Sequence, residues 1–192
     1  MLQTERLSLR RFTEADLDNL INLDSDPAVM RWLNGGVPTP RAVIADSILP
    51  GFLRSYAPPC YGVWAIILTA SGDFLGWVSL RPDGERANEA TLGYRLLRVA
   101  WGQGYASEVA RALLAAAFRG EPALQRVTAT TYQDNTASRR VMERLDMSLV
   151  RTFRYTPADL AATDTHVPGV DLWDGEDVEY AITRAEWERT VP

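Results

Sequence analysis

Trp101-Gly102-Gln103-Gly104-Tyr105-Ala106-Ser107-Glu108 lies between a stretch of strand character and the clearest helical pattern in the chain. Two glycines let the backbone turn sharply and approach a ligand closely. The residues that follow present unpaired helix N–H groups at the positive end of a helix dipole. That combination suits a phosphate. Each anion–dipole contact contributes roughly 0.3–1 kcal/mol, and up to ~2 kcal/mol when partly buried. The formal net charge is −5, so the overall field opposes an anionic ligand and local donors matter. Screening at physiological salt confines that opposition to about 8 Å. The same turn also suits a plain strand–helix connection without a ligand. A dinucleotide-binding Rossmann reading is disfavoured: its Gly-x-Gly-x-x-Gly pattern would end at Ser107, and the next expected strand, Arg126–Tyr132, has no acid inside it.

Outward from this turn the chain alternates. Tyr105–Phe118 predicts a helix, with Tyr105, Val109, Ala112, Leu113, Ala116 and Ala117 at 3.6-residue spacing and Gly120 as its stop. Upstream, Val63–Thr69, Phe74–Leu80 and Thr91–Leu97 read as three strands in meander order. Residues 6–12 alternate as a first strand, and Thr13 opens a helix whose apolar stripe is Leu17, Leu20, Ile21 and Leu23. A second amphipathic helix is expected over 40–56, kinked near Pro50-Gly51. Downstream come a strand at Arg126–Tyr132, a helix at Thr136–Leu145 with Ala137, Val141 and Leu145 inward, and strands at Leu149–Tyr155 and Val178–Thr183. The long polar stretch 156–176 between those last two is of the functional or mobile kind. This order predicts a mixed α/β fold in one domain over residues 1–192, with a strand–helix–strand crossover across 91–132.

Composition removes other classes. The 192 residues are 46% hydrophobic and 23% charged, enough to bury one core. No run approaches the roughly 20 apolar residues of a membrane helix, and Met1–Arg6 lacks a signal peptide's apolar stretch, so a cytoplasmic protein without membrane contact is expected. A lone Cys60 excludes an internal disulfide framework and fits a reducing compartment. With His166 the lone histidine, cysteine–histidine metal sites and Ser-His-Asp triads are disfavoured, and no metal is expected. The acidic balance argues against general nucleic-acid binding. All 20 basic residues are arginine, which removes the lysine a Walker-type phosphate loop requires.

At this point the residues resemble the GNAT N-acetyltransferase superfamily, whose pyrophosphate loop runs Gln/Arg-x-x-Gly-x-Gly/Ala after its fourth strand and opens its third helix. Trp101-Gly102-Gln103-Gly104-Tyr105-Ala106 occupies those six positions. Trp101 at the first is typical of the branch that acetylates ribosomal-protein N-termini (RimJ/RimL-like). Gly93-Tyr94-Arg95-Leu96-Leu97 looks like the family's fourth strand, and 135–145 like its fourth helix. Residues 4–10 and 180–187 are similar to the two ends of that branch, and 34–60 is the weakest part of the likeness. The resemblance implies a strongly twisted mixed sheet of about seven strands, flanked by helices and splayed between its fourth and fifth strands, with acetyl-CoA in the opening.

Site residues follow from the same resemblance. Backbone amides of Gly102, Gln103, Gly104, Tyr105 and Ala106 would hold the CoA pyrophosphate. Leu96 and Leu97 would pair with the pantetheine arm, and one of their amides would polarise the thioester carbonyl. Asn135 would orient the cofactor; read from its residues alone, it is equally a plain helix N-cap. Arg98 and Arg139 are candidates for the CoA phosphates. Ser138 stands where the branch has a serine proposed to protonate the leaving thiolate.

Two departures matter. The superfamily's frequent tyrosine acid, seven residues after the helix asparagine, is Met142 here, and the branch's usual acid two residues before Gly93 is Thr91. Glu89 is therefore the candidate general base, with Asp83 and Glu85 as alternatives. The acceptor is an amine, either a protein N-terminus or a small molecule. At pH 7 a neutral lysine amine lies roughly 4–5 kcal/mol uphill and an α-amine only about 1–1.4 kcal/mol, so a site without a strong base favours the latter. Cys60 reads as structural and His166 as a solvated loop residue, while Trp32, Trp64, Trp77 and Trp173 are either pocket or core. A homodimer is a family expectation. A non-catalytic acyl-CoA sensor, and a nucleotide-dependent enzyme, remain alternatives.

Overall fold

The computed structural model describes residues 2–58, 60–84, 86–154 and 175–190. His166, Trp173, Glu85 and most of the 156–176 stretch therefore lie outside the described residues. Eight strands form one sheet: β1 (Leu2–Gln3), β2 (Leu7–Arg11), β3 (Gly62–Leu68), β4 (Phe74–Pro82), β5 (Glu89–Leu96), β6 (Arg126–Tyr132), β7 (Ser148–Phe153) and β8 (Asp177–Thr183). Their order is β1-β2-β3-β4-β5-β6-β8-β7. Sequence pattern anticipates all but β1, which is too short to show alternation and exists by pairing Leu2 with Leu9.

Helices cover both faces. On one face lie α1 (Leu17–Ser25), α2 (Pro27–Asn34), α3 (Arg41–Val43) and α4 (Leu49–Arg54), whose apolar residues form a core with Phe12, Val63, Ala65 and Trp77. The other face carries α5 (Tyr105–Gly120) and α6 (Thr136–Arg144), packed on Ile66, Val78, Leu80, Leu92, Val127 and Ile182, with α7 (Arg184–Thr190) stacking Trp187 on Phe118. Strand alternation divides the two cores: in β5, Ala90, Leu92 and Leu96 face α5 and α6.

Several boundaries differ from the sequence reading for local reasons. The first expected helix is α1, and α2 follows it as a helix the sequence reading does not mark: Asp26 caps its start by accepting from the Ala28 N–H at 2.9 Å, with Pro27 in the first turn. Ahead of α1, Thr13 and Asp16 form a capping box, and Asp16 also takes two bonds of 2.7 Å from Arg10. Burial pushes that carboxyl up, but Arg10, the Thr13 N–H and Asn19 outweigh it and hold it at about 2. Over 41–54 the irregularity falls one turn earlier than expected, as a π turn at Ile44–Ile48, since Pro50 has no N–H to donate back along the helix. In α5 the buried stripe is Val109, Ala110, Leu113, Leu114, Ala117 and Phe118, rotated from the expected Ala112 and Ala116. In α6, Met142 and Leu145 are buried whereas Ala137 is exposed.

Neighbouring strands are antiparallel except β5 and β6, which the crossover through α5 makes parallel. Their pairing is confined to Glu89↔Arg126, Ala90↔Val127 and Thr91↔Thr128. Beyond it the two strands part, each held on its other edge: β5 by β4 as far as Gly76↔Leu96, and β6 by β8 as far as Tyr132↔Asp177. Gly76 permits the first of these, because a Cβ there would stand 2.1 Å from the Arg95 carbonyl oxygen. The opening is the expected splay between the fourth and fifth long strands.

Candidate active site

The mouth of the splay is made of backbone. Gly102 and Gly104 have φ of 74° and 79°, a left-handed region that side chains with a Cβ rarely adopt. Gly104 is the N-cap of α5, so no side chain caps that helix. The first-turn N–H groups of a 16-residue helix are left for another acceptor. Behind them the Ser107 Oγ is buried without a hydrogen-bond partner. Trp101 folds back to donate its indole N–H to the Leu96 carbonyl at 2.9 Å, which joins the loop to the end of β5.

Arg6, which sequence reading passed over, braces the same turn. Its guanidinium lies 4.6 Å from the centre of the Tyr105 ring, and its Nη2 would be 3.6 Å from a Cβ on Gly104. It pairs with Glu108 at 2.6 Å, and Glu108 also accepts from the Arg6 N–H at 3.1 Å and the Thr4 hydroxyl at 2.5 Å. Burial pushes the Glu108 carboxyl up, but these donors outweigh it and hold it below the usual carboxylate range. An acid in the first turn of α5, where it would oppose an anion, is thus neutralised in place. Its signal in the sequence was only the nearness of 4–6 to the first strand.

Along β5 the two leucines separate. The Leu97 N–H donates to the Leu75 carbonyl at 2.9 Å, toward β4. Strand alternation turns the Leu96 N–H the other way, toward the gap. Farther in, Tyr94 reaches α6: its Oη lies 2.9 Å from the Ser138 Oγ and donates to the Ser138 carbonyl at 3.0 Å. Asn135 Oδ1 accepts from the Ser138 N–H at 3.2 Å, and its Nδ2 donates to the Thr131 Oγ1 at 3.1 Å. Asn135 thus caps α6 and also ties it to the end of β6. Burial pushes the Tyr94 phenol well above its ordinary pKa, against the pull of Ser138, so it stays protonated at neutral pH. In the sequence Tyr94 stands only as part of the strand, and its even spacing with Leu92 and Leu96 is the signal for the α6 face.

The remaining candidates scatter. Arg98 is largely exposed and pairs with Asp26 at 3.2 Å. Arg139 donates to the Tyr180 hydroxyl and to the Gln133 carbonyl, both at 3.1 Å. Met142, 1% exposed, belongs to the core and cannot reach a ligand. Glu89 is not brought to Ser138 or the loop. It stands at the closed end of the splay, seven residues and about 23 Å along the strand from Leu96, and pairs with Arg126 at 3.1 Å and Arg86 at 3.5 Å. Asp83, just beyond β4 on the turn into β5, takes the Arg86 N–H at 3.0 Å. The Cys60 thiol is buried and pushed up to about 11 by that burial and by Glu121, so it is not a thiolate at neutral pH. Trp64 and Trp77 sit within the fold, while Trp32 lies 6.3 Å from the Tyr132 ring, at the open end of β6.

Opposite α6, the α1–α2 side closes the gap with buried polar side chains. Arg95 pairs with Asp24 at 2.6 Å, their side chains 8% and 3% exposed, and the Thr39 hydroxyl donates to Asp24 at 3.3 Å. Asn34 is 7% exposed and makes no side-chain hydrogen bond. Among the described residues no cluster of histidine, cysteine and acidic groups suits a metal ion, and no helix is long and apolar enough to cross a membrane.

Two parallel strands parted at their open ends, with an uncapped, glycine-turned helix start beside the gap, define a particular class of mixed-sheet α/β protein. The chain belongs to the GNAT acetyltransferase family: residues 6–148 match its acetyltransferase (GNAT) domain. It is 34% identical over 197 residues to FsC-acetyl coenzyme A-N(2)-transacetylase of Aspergillus fumigatus, covering 98% of this chain and 78% of that protein. Among solved structures, a GNAT acetyltransferase from Bacillus anthracis superposes with a TM-score of 0.73 at 26% identity, covering 96% of this chain and 99% of that one. The ribosomal L7/L12 α-N-protein acetyltransferase RimL, in complex with coenzyme A, has the same fold, with a TM-score of 0.73 at 19% identity over 94% and 95% of the two chains. By class, then, this is an N-acetyltransferase.

Proposed function

We propose that the protein transfers the acetyl group of acetyl-CoA to a primary amine by direct attack within a ternary complex. The observation that supports this most is the uncapped start of α5 set beside the unpaired edge of β5. The amides of Gly102, Gln103, Gly104, Tyr105 and Ala106 would hold the pyrophosphate, with Arg6 bracing the turn. The buried Ser107 hydroxyl, without a protein partner, fits a phosphate-bearing ligand there. The Leu96 N–H would receive the thioester oxygen, where stabilising the tetrahedral intermediate is the largest electrostatic task in acyl transfer.

In the step itself, the amine nitrogen bonds to the carbonyl carbon and loses a proton to water. The carbon–sulfur bond breaks, and the thiolate takes a proton from the Ser138 hydroxyl. Tyr94, bonded to Ser138 at 2.9 Å, fixes that hydroxyl and restores its proton from water. Glu89 has no part in this scheme, and an acceptor of low amine pKa is favoured accordingly. The buried neutral Cys60 supports direct transfer over an acyl-enzyme. The acceptor is a protein N-terminus, as in the RimL-like branch, or a small amine, and the reducing cytoplasm fits the single free thiol. A homodimer remains part of the proposal, checked by light scattering.

The test is thermal stabilisation by acetyl-CoA, CoA, NAD and ATP, on wild type and on Gly104→Trp. A ligand at 100 times its Kd adds about 2.7 kcal/mol. A shift with the CoA ligands alone, lost in a folded Gly104→Trp, is expected; no shift with acetyl-CoA ends the reading. Binding without thiol release across an amine panel would favour the sensor instead, a reading that the absence of a carboxylate beside Ser138 among its described bonds keeps open.

A further inference from the structure

We propose that the α1–α2 side of the splay is an acceptor subsite for an uncharged amide unit next to the reacting amine, and that Asn34 recognises it. This rests on the acyl-transfer reading above.

Asn34 ends α2, four residues after Met30, so it shares the sheet-facing side of the helix on which Met30 is buried. It is more than nine-tenths buried, and neither Oδ1 nor Nδ2 has a hydrogen-bond partner. Folded chains do not ordinarily leave such an amide unmet; the usual resolution is a water or a ligand. Its place favours the ligand. At its start α2 is tied to the end of β5 through Asp26 and Arg98 at 3.2 Å, and Trp32 reaches Tyr132 at the open end of β6. The helix therefore spans the mouth, with Trp32 turned toward β6 and Asn34, two residues on, turned with Met30 toward the sheet beneath.

Chemistry selects the occupant. An ammonium satisfies Oδ1 alone, and a carboxylate satisfies Nδ2 alone. A hydroxyl can donate to Oδ1 and accept from Nδ2, but its single oxygen cannot align with both. A group bearing a carbonyl beside an N–H satisfies both at once. The neighbouring charges do not favour an ion, because Asp24 and Arg95 are matched at 2.6 Å. Arg95 Nε, buried and without a partner, adds a further donor on this side of the sheet. The amide is either the first peptide bond of a polypeptide N-terminus or an amide of a small molecule.

The experiment is thiol release from acetyl-CoA with three acceptors: glycinamide, a triglycine amide, and 2-methoxyethylamine, which lacks the amide. Asn34→Leu should lower kcat/KM about ten-fold or more on both amides, leave the ether amine within about two-fold, and keep the acetyl-CoA thermal shift. Asn34→Asp keeps the size and the acceptor but deletes the donor, and should lose the same preference even if Asn34→Leu folds poorly. Equal losses on all three acceptors, or no loss, overturn the proposal. A wild-type preference for the triglycine amide over glycinamide assigns the subsite to polypeptide, and equal rates assign it to small amides. Wild type that is stabilised by acetyl-CoA and turns over amines without an Asn34 effect overturns this inference alone. Wild type that neither binds acetyl-CoA nor releases thiol sinks the acyl-transfer reading as well.

Discussion

At the α5 mouth of the splay the chain offers main-chain N–H groups set by two positive-φ glycines, Gly102 exposed and Gly104 half-buried. Across the gap, the α1–α2 side offers Asp24, Asn34, Thr39 and Arg95, all buried side chains. The first surface needs no desolvated charge and little support beyond a turn, so it sits at the protein's edge at small cost in stability. The second removes two ions from water and holds them chiefly by each other, with the Thr39 hydroxyl on Asp24 and the Trp77 ring under Arg95. A binding surface of backbone can be nearly independent of the core, whereas one of buried side chains is part of the fold.

The contrast breaks most directly at Arg95. Arg95→Ala leaves the buried Asp24 with the Thr39 hydroxyl as its one remaining side-chain donor, and should lower the free energy of unfolding by about 3–5 kcal/mol in urea denaturation. A loss below about 1 kcal/mol would mean that water already reaches the pair. Gly104→Val tests the other surface: the strain of a Cβ at φ 79° should cost only about 1–2 kcal/mol of stability while stabilisation by acetyl-CoA disappears. If it destabilises the fold as much as Arg95→Ala does, the two surfaces are not different in kind.

Tyr94→Phe sharpens the picture at the depth of the gap. Loss of its bond to Ser138 should remove about 0.5–1.5 kcal/mol of stability and lower kcat, with the KM for acetyl-CoA unchanged. An unchanged kcat would reduce Tyr94 to packing. The smallest effect is expected at Cys60. Cys60→Ala should leave thiol release within about two-fold, and alkylation of the wild-type thiol should accelerate only as the pH approaches about 11. Abolished turnover would overturn direct transfer.

Legibility followed the same division. The glycine turn, the helix it starts and the strands around it are local, set by φ and by apolar spacing, and they lie where the sequence indicates. The side-chain candidates fared unevenly because their fate depends on what lies across space. Glu89 and Ser138 are both plausible in one dimension, yet the strand takes Glu89 to the closed end, where Arg126 awaits it. Arg139, a candidate for the CoA phosphates by resemblance, donates to Tyr180, 41 residues on, a bond that no local pattern announces. Arg6 and Asn34 have no local pattern to betray them, and the even spacing of Tyr94 with Leu92 and Leu96 gives its face but not its partner.

By itself, then, the sequence determined the family, the crossover and the glycine-turned, uncapped helix start, since these depend on residues within one turn or one strand of each other. The tertiary structure alone decided which N–H of β5 faces the gap, which hydroxyl Tyr94 meets, and which buried amide is left unpaired. Those outcomes hang on strand register and on contacts between residues dozens of positions apart, and no local periodicity encodes them.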